Sequence, residues 1–294
     1  MQEKEMLPRC CVLLAAHNGE DFVENQIYTI LNQKAVQIEI IVSIDNSEDK
    51  TEKILENLEK NNTNLIVDKI ETFGSAAKNF YSLIECIDTK DYDFIAFSDQ
   101  DDIWIDDKLS YAISCMKSSS AHGFSSDVIS YWPKTKKKKL TKNSYKQTSY
   151  DHLFESPGPG CSHVFSASSF KDFQEFIKKN KEVIKFFDYH DWLIYAFYRE
   201  NSYKWIISDV PKMLYVQHGA NQIGTNIGVR GMLKRIKMIN SGWYKSHVLM
   251  LAKLFNNEEI QNSFFNFMLK NCLTLRRRKT QSLLLVLLMT LGIF

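Results

Sequence analysis

The sequence predicts an α/β fold with a mainly parallel central sheet, followed by a helical C-terminal extension. Three observations predict it. Short apolar runs alternate with segments of helical periodicity, the pattern of a sheet covered by helices on both faces. Several runs stop abruptly at polar or acidic residues, as strands do at the carboxyl edge of a sheet, where open α/β folds bind ligands. After Gly228 the alternation ends and the pattern is helical only.

The elements follow in order. Cys11 to Ala16 reads as a buried strand, ended by the turn His17-Asn18-Gly19, with a helix from Phe22 to Gln33 behind it. Ile38 to Ile44 is the second strand, and Asp45-Asn46-Ser47 leads to a helix from Asp49 to Lys60. Leu65 to Asp68 is a third strand, Gly74 begins a loop, and Ala76 to Ile87 is helical. Phe94 to Phe97 is the next strand and runs into the cluster Ser98-Asp99-Gln100-Asp101-Asp102. Lys108 to Met116 is helical, Val128 to Trp132 a strand, and lysine-rich Pro133 to Lys142 a solvated loop. The turn Ser156-Pro157-Gly158-Pro159-Gly160 introduces a strand from Cys161 to Phe165. Helices are expected at Phe170 to Lys179 and Asp188 to Tyr198, and strands at Trp205 to Val210 and Met213 to Gln217. Beyond, Met232, Ile236, Ile239, Leu251, Leu254 and Phe255 mark helices.

At 294 residues the chain suits one large domain with an appendage, drawn here as residues 1–227 and 228–294. A net charge of only +2 argues against nucleic acid as a partner. The charge is uneven, however: Gly228 to Thr280 holds 11 Lys/Arg against two Glu. That imbalance points the C-terminal region at an anionic surface. Arg276-Arg277-Arg278-Lys279 then precedes the apolar run Leu283 to Phe294. Twelve helical residues reach about 18 Å, short of the roughly 30 Å hydrocarbon core, so this run does not span a bilayer alone. It fits the membrane interface, with the basic cluster on lipid headgroups; a core helix closing the fold is the alternative. The six cysteines include no C-x-x-C pair and the first residues resemble no targeting peptide, so a reducing cytoplasm is expected.

The acidic cluster carries the chemistry. Three carboxylates within four residues repel one another unless a cation sits among them, and a hard divalent ion that also holds a phosphate answers that need. Five further segments accompany it: Leu14-Ala15-Ala16-His17-Asn18-Gly19, Ser43-Ile44-Asp45-Asn46-Ser47-Glu48-Asp49-Lys50-Thr51, Phe73-Gly74-Ser75-Ala76-Ala77-Lys78-Asn79-Phe80, Tyr189-His190-Asp191-Trp192, and Tyr215-Val216-Gln217-His218 running on to Gly224. In this order the segments resemble inverting glycosyltransferases of family 2, with the GT-A fold. Within that family they are most similar to the rhamnosyltransferase-like enzymes of bacterial surface-polysaccharide assembly. The resemblance covers about Cys11 to Gly224.

The resemblance implies a role for each segment. Ala16, His17, Asn18 and Asp45 line a nucleotide pocket, and Gly74 with Lys78 faces the diphosphate. Asp99 and Gln100 belong to the donor site. Asp101 and Asp99 ligate Mg²⁺ or Mn²⁺, with His218 as a candidate third ligand. Asp191 is the general base, and Asp102, Trp104, His190 and Trp192 lie toward the acceptor. Two positions depart from the pattern: Ile44 replaces an acid and Val216 replaces an arginine. Asn46 stands where the family has glycine, and Asn tolerates a positive φ. Asp49 and Thr51 read as helix capping. The implied reaction moves a sugar from a nucleoside diphosphate, dTDP-rhamnose favoured and a UDP-hexose possible, to a glycan carried on a polyprenyl lipid. The enzyme would then sit on the cytoplasmic face of the membrane. A non-catalytic sugar-binding protein of the same fold is the main alternative, and Asp191 discriminates, since a binder needs no base. A metal-dependent phosphotransferase is a weaker one, because Ile103-Trp104 follows the acids where that chemistry expects small residues.

Overall fold

A computed structural model describes residues 6–218 and 241–292. A seven-stranded sheet forms its centre. The strands are β1 (Arg9–Ala16), β2 (Gln37–Asp45), β3 (Leu65–Glu71), β4 (Phe94–Asp99), β6 (Gly123–Ser126), β9 (Val164–Ser166) and β10 (Trp205–Ser208), in the order β10-β6-β9-β4-β1-β2-β3. Only β9 runs antiparallel to its neighbours. The central strands β1, β2 and β4 are largely apolar and buried because both faces are covered, whereas the edge strand β3 leaves Ile66 and Ile70 exposed. A second sheet, ordered β5-β11-β7-β8, is made of β5 (Ile103–Trp104), β7 (Val128–Trp132), β8 (Lys137–Thr141) and β11 (Met213–Val216).

Helices α1 (Val23–Leu31), α2 (Thr51–Asn61), α3 (Ala76–Cys86) and α4 (Lys108–Ser119) follow β1, β2, β3 and β5. The α1 contacts show the logic: Val23, Gln26, Ile27 and Ile30 recur at helical spacing and are its buried residues. The chain continues through α5 (Asp151–Phe154), α6 (Ala167–Lys179), α7 (Lys181–Ile184), α8 (His190–Glu200), α9 (Trp243–Leu254), α10 (Glu258–Lys270) and α11 (Lys279–Thr290). Leu251, Phe267, Leu275, Leu285 and Met289 join the same hydrophobic cluster as Phe97, Phe165 and Tyr195. The C-terminal helices thus complete the core on one face of the main sheet.

Two local expectations are corrected. The lysine-rich stretch is an exposed edge strand, β8, paired antiparallel with β7 from Val128↔Thr141 to Trp132↔Lys137. Backbone pairing outweighs the charge run there because the lysines extend into solvent. Cys161 opens no strand; Gly160–Ser162 form a 3₁₀ turn, and β9 begins at Val164. The boundary at 227/228, the segment Gly219–Gly224 and the positions Met232, Ile236 and Ile239 lie outside the described residues.

Candidate active site

The site is built along the carboxyl edge of the parallel strands. In register, Ala15 of β1 faces Asp99 of β4, and Ala16 faces Ile44 of β2. Beyond β4 the chain turns, and Asp101 meets His218: Nε2 lies 2.6 Å from Asp101 Oδ2. The imidazole is stacked on Phe22 at 4.5 Å between ring centres. β11 delivers His218, and the Val216 N–H donates to Asp102 Oδ1 at 3.2 Å, tying that strand to the acidic turn. Burial, then the Asp101 charge, pushes Asp99 up to about 7. The same causes raise Asp102 well above the usual carboxylate range. A bound cation would reverse that pressure. Asp99 and Asp101 offer carboxylate oxygens, which suit Mg²⁺ or Mn²⁺, and His218 an imidazole nitrogen, which suits Mn²⁺ better; the ligand atoms that lie within 4.8 Å of one another among the described residues are those of Asp99, Asp102 and Cys161.

Beneath this turn lies a polar layer in which Asp99 and Asp102 are joined by Cys161 and Lys108, two residues that the sequence patterns did not single out. Lys108 is buried, its Nζ 3.5 Å above the Trp104 ring. Burial holds its pKa down at about 8. This arrangement corrects two expectations. Asp102 is 1% exposed and Trp104 4%, so neither faces an acceptor; both are underpinnings of the acidic turn.

On the donor side, the ends of β1, β2 and β4 are laced together. The Gln100 side chain pairs with His17 as a strand would. It accepts from the His17 N–H at 2.8 Å and donates to the His17 carbonyl at 2.7 Å. That amide is a clamp, a different job from donor contact. Gly19 is required by the clamp, since a Cβ there would sit 2.3 Å from Gln100 Oε1. Asn18, at φ 47°, is the residue in left-handed conformation, not Asn46. It takes the Ser47 hydroxyl at 3.1 Å as acceptor for its N–H and accepts the Glu48 N–H at 2.8 Å. Asp49 and Thr51 likewise hold the turn: Asp49 accepts from the Glu20 N–H, and Thr51 Oγ1 from the Gly19 N–H. Asp45 accepts from the N–H groups of Phe73 and Gly74, each at 2.9 Å, and so fixes the loop entering α3. Lys78 is exposed in the first turn of α3, capped by Ser75.

On the opposite side, Asp191 stands in the first turn of α8, where the helix dipole favours a carboxylate. It accepts from the Trp192 N–H at Oδ1 and from the Ser156 hydroxyl at Oδ2, both at 2.9 Å. Burial nevertheless pushes it up to about 6. Its charge also acts on Asp99, so base candidate and acidic turn share one electrostatic neighbourhood. Gly160 permits this approach, since a Cβ would lie 2.7 Å from His190 Nε2. The Pro/Gly run before it was the available signal. His190 stacks on Phe80 at 3.9 Å, and burial lowers its pKa to about 3, which keeps it neutral. Trp192 corrects the expectation of an acceptor contact: it is 4% exposed and donates from Nε1 to the His152 carbonyl.

The basic cluster before α11 reaches this side too. Arg277 is 5% exposed; its Nη1 lies 3.2 Å from Asp151 Oδ2, and its Nη2 donates to the Ser156 carbonyl at 2.7 Å. Arg276 pairs with Glu155 at 3.2 Å. Two of the four cations expected on lipid headgroups therefore turn inward. Carboxylates within reach offer a buried guanidinium more than screened headgroups do.

Comparison with known proteins decides the family. The profile of glycosyl transferase family 2 matches residues 11–177. The chain belongs to glycosyl transferase family 2. It is a glycosyltransferase, as its motifs imply, and the phosphotransferase alternative falls away. A dTDP-rhamnosyl transferase, RfbG of Shigella flexneri, is 37% identical over 290 residues, covering 96% of this chain and all of that one. Among solved structures, TarS of S. aureus in complex with UDP-GlcNAc superposes with TM-score 0.54 at 16% identity, covering 89% of this chain and 76% of that one. The longer TarS chain is covered to 45%. A mannosyltransferase of Pyrobaculum calidifontis in complex with GDP-Man and Mn²⁺ gives TM-score 0.52 at 13% identity, covering 98% and 80%. At those identities the structures bear on the fold alone, which is GT-A.

Proposed function

We propose that this family 2 glycosyltransferase moves rhamnose from dTDP-rhamnose, with inversion, onto a growing surface polysaccharide carried on a polyprenyl lipid. The donor is supported by the near full-length similarity to a dTDP-rhamnosyl transferase. The absence of an acid at Ile44 keeps a UDP-hexose as the second donor to assay. The observation that carries the mechanism is Asp191, a partly buried carboxylate at a helix start that packs on Gly160, next in sequence to the Cys161 whose thiol lies within 4.8 Å of ligand atoms of Asp99 and Asp102.

In this reading Ala16, His17, Asn18, Asp45, Gly74 and Lys78 form the donor pocket. Asp99, Asp101 and His218 would hold Mg²⁺ or Mn²⁺, which when bound would supply charge neutralisation of the leaving diphosphate. Asp191 takes the proton from the acceptor hydroxyl as its oxygen attacks the anomeric carbon from the face opposite the diphosphate. A carboxylate raised to about 6 is still ionised at neutral pH, yet more basic than an exposed one.

The reacting side chains lie within residues 1–227, and the C-terminal region, packed on the same core, brings them to the inner face of the membrane. Among the described residues no helix is long and apolar enough to cross a membrane. α11 instead exposes Leu283, Leu284 and Leu287, with Leu291 just beyond, an apolar face suited to the interface.

Asp191→Asn tests the mechanism. It keeps the shape and removes the basic carboxylate, so donor turnover falls by about 10²–10⁴-fold while dTDP-rhamnose still binds. Mass spectrometry of donor hydrolysis and calorimetry read the two separately. Near-normal turnover places the base elsewhere. A parallel loss of donor affinity makes Asp191 a donor-site residue.

A further inference from the structure

The Ser156 hydroxyl stands between two acceptors. It lies 2.9 Å from Asp191 Oδ2 and 2.6 Å from the Gly158 carbonyl oxygen. One hydroxyl has one proton to give and lone pairs with which to accept. With Asp191 ionised, the proton goes to Oδ2, because a charged acceptor forms the stronger bond. Once Asp191 has taken a proton, its own O–H can donate to Ser156 Oγ. The Ser156 proton then turns to the Gly158 carbonyl, already within reach. The exchange leaves both protonation states of the carboxyl hydrogen-bonded without moving the backbone.

The backbone is held from an unexpected direction. Arg277, far along the chain, donates from Nη2 to the Ser156 carbonyl and from its backbone N–H to Glu155. It is anchored in turn on Asp151, which also receives Arg199 at 3.0 Å and the Tyr195 hydroxyl at 2.6 Å.

We infer that Ser156 is a positioning residue for the base, a hydroxyl swivel that serves Asp191 in both protonation states and is held in place by Arg277 of the C-terminal segment. The inference rests on Asp191 being the base. The other ionisable groups acting around Asp191 are Tyr81 from α3, Asp99 from β4, and Asp188, Tyr189 and His190 at the start of its own helix. Burial keeps Tyr81, Tyr189 and His190 neutral near pH 7. Asp188, half exposed, pairs with His247 at 3.3 Å.

The test is Ser156→Ala beside Ser156→Thr, in the full chain with saturating Mg²⁺. The readouts are a ¹³C carboxyl NMR titration of Asp191, assigned with Asp191→Asn, and the kcat and KM of dTDP-rhamnose hydrolysis. Without the hydroxyl the ionised carboxylate loses a charge-assisted donor and the protonated carboxyl only a weaker neutral acceptor, so its titration moves to higher pH by about one unit, the equivalent of a tenfold change. kcat falls by about tenfold, donor KM holds, and Ser156→Thr restores both. An Asp191 titration unchanged in Ser156→Ala overturns the swivel even where Asp191→Asn is inactive. A fall in kcat that Ser156→Thr does not rescue reduces Ser156 to a packing role. If Ser156→Ala does not fold, the titration and kinetics of Ser156→Cys decide, with a shift in the same direction expected from its weaker donor. An active Asp191→Asn would instead sink the base assignment itself.

Discussion

The acidic edge of the main sheet and the basic segment before α11 are both charge clusters, and they behave oppositely. Asp99 and Asp101 end a buried strand and crowd together at the site, because parallel strands project their last residues to one edge. Arg276 and Arg277 look in the sequence like a surface patch, yet they close onto Asp151 and Glu155. The three lysines of β8, also a basic run, stay in solvent. The contrast teaches that a charge run does not reveal its own direction. Direction comes from what the fold sets opposite it. A strand end has a fixed destination, whereas a loop between helices takes whichever partners packing supplies.

The comparison breaks most visibly at Arg277. Arg277→Met keeps much of the volume but removes a buried charge, and should destabilise by about 3 kcal/mol, the lower end for breaking a buried pair. The lower end applies because Arg199 still pairs with Asp151 and Arg276 with Glu155. Lys138→Met, on the exposed strand, should stay within about 0.5 kcal/mol. Urea unfolding of both variants checks this, and equal effects would erase the distinction between inward and outward cations.

At the acidic edge the expected effect is on binding. Asp101→Asn should weaken Mg²⁺-supported dTDP binding on the order of tenfold or more, and chelator should do the same to the native protein. Calorimetry with and without chelator measures it. Affinity that ignores both would mean that the carboxylates neutralise one another by protonation and hold no ion.

The smallest effect separates the two halves of the C-terminal segment. Changing Leu284 and Leu287 of α11 to serine should leave unfolding nearly unchanged, since both side chains are about half exposed. Flotation on anionic vesicles should nonetheless drop several-fold, as roughly 0.8 kcal/mol is lost per CH₂ withdrawn from the bilayer. Undiminished flotation would assign membrane contact to another surface.

Much of this protein was determined by sequence alone. β1, β2, β4 and α1 to α4 were readable because strands buried on both faces leave apolar runs and helices buried on one face leave periodic apolar traces. The acidic turn and Asp191 stand where the sequence put them, at the end of a strand and in the first turn of a helix. Tertiary structure decided what each supporting residue does. Gln100 became a clamp on the His17 backbone, and Gly19 its clearance. Asn18 took the left-handed position that the pattern suggested for Asn46. Trp192 went to the core. Ser156 and Arg277 came to stand behind Asp191 from segments 35 and 86 residues away. Such contacts leave no local trace, because a hydrogen bond between distant segments depends on where packing brings the chain, and periodicity reports only which face of an element is buried.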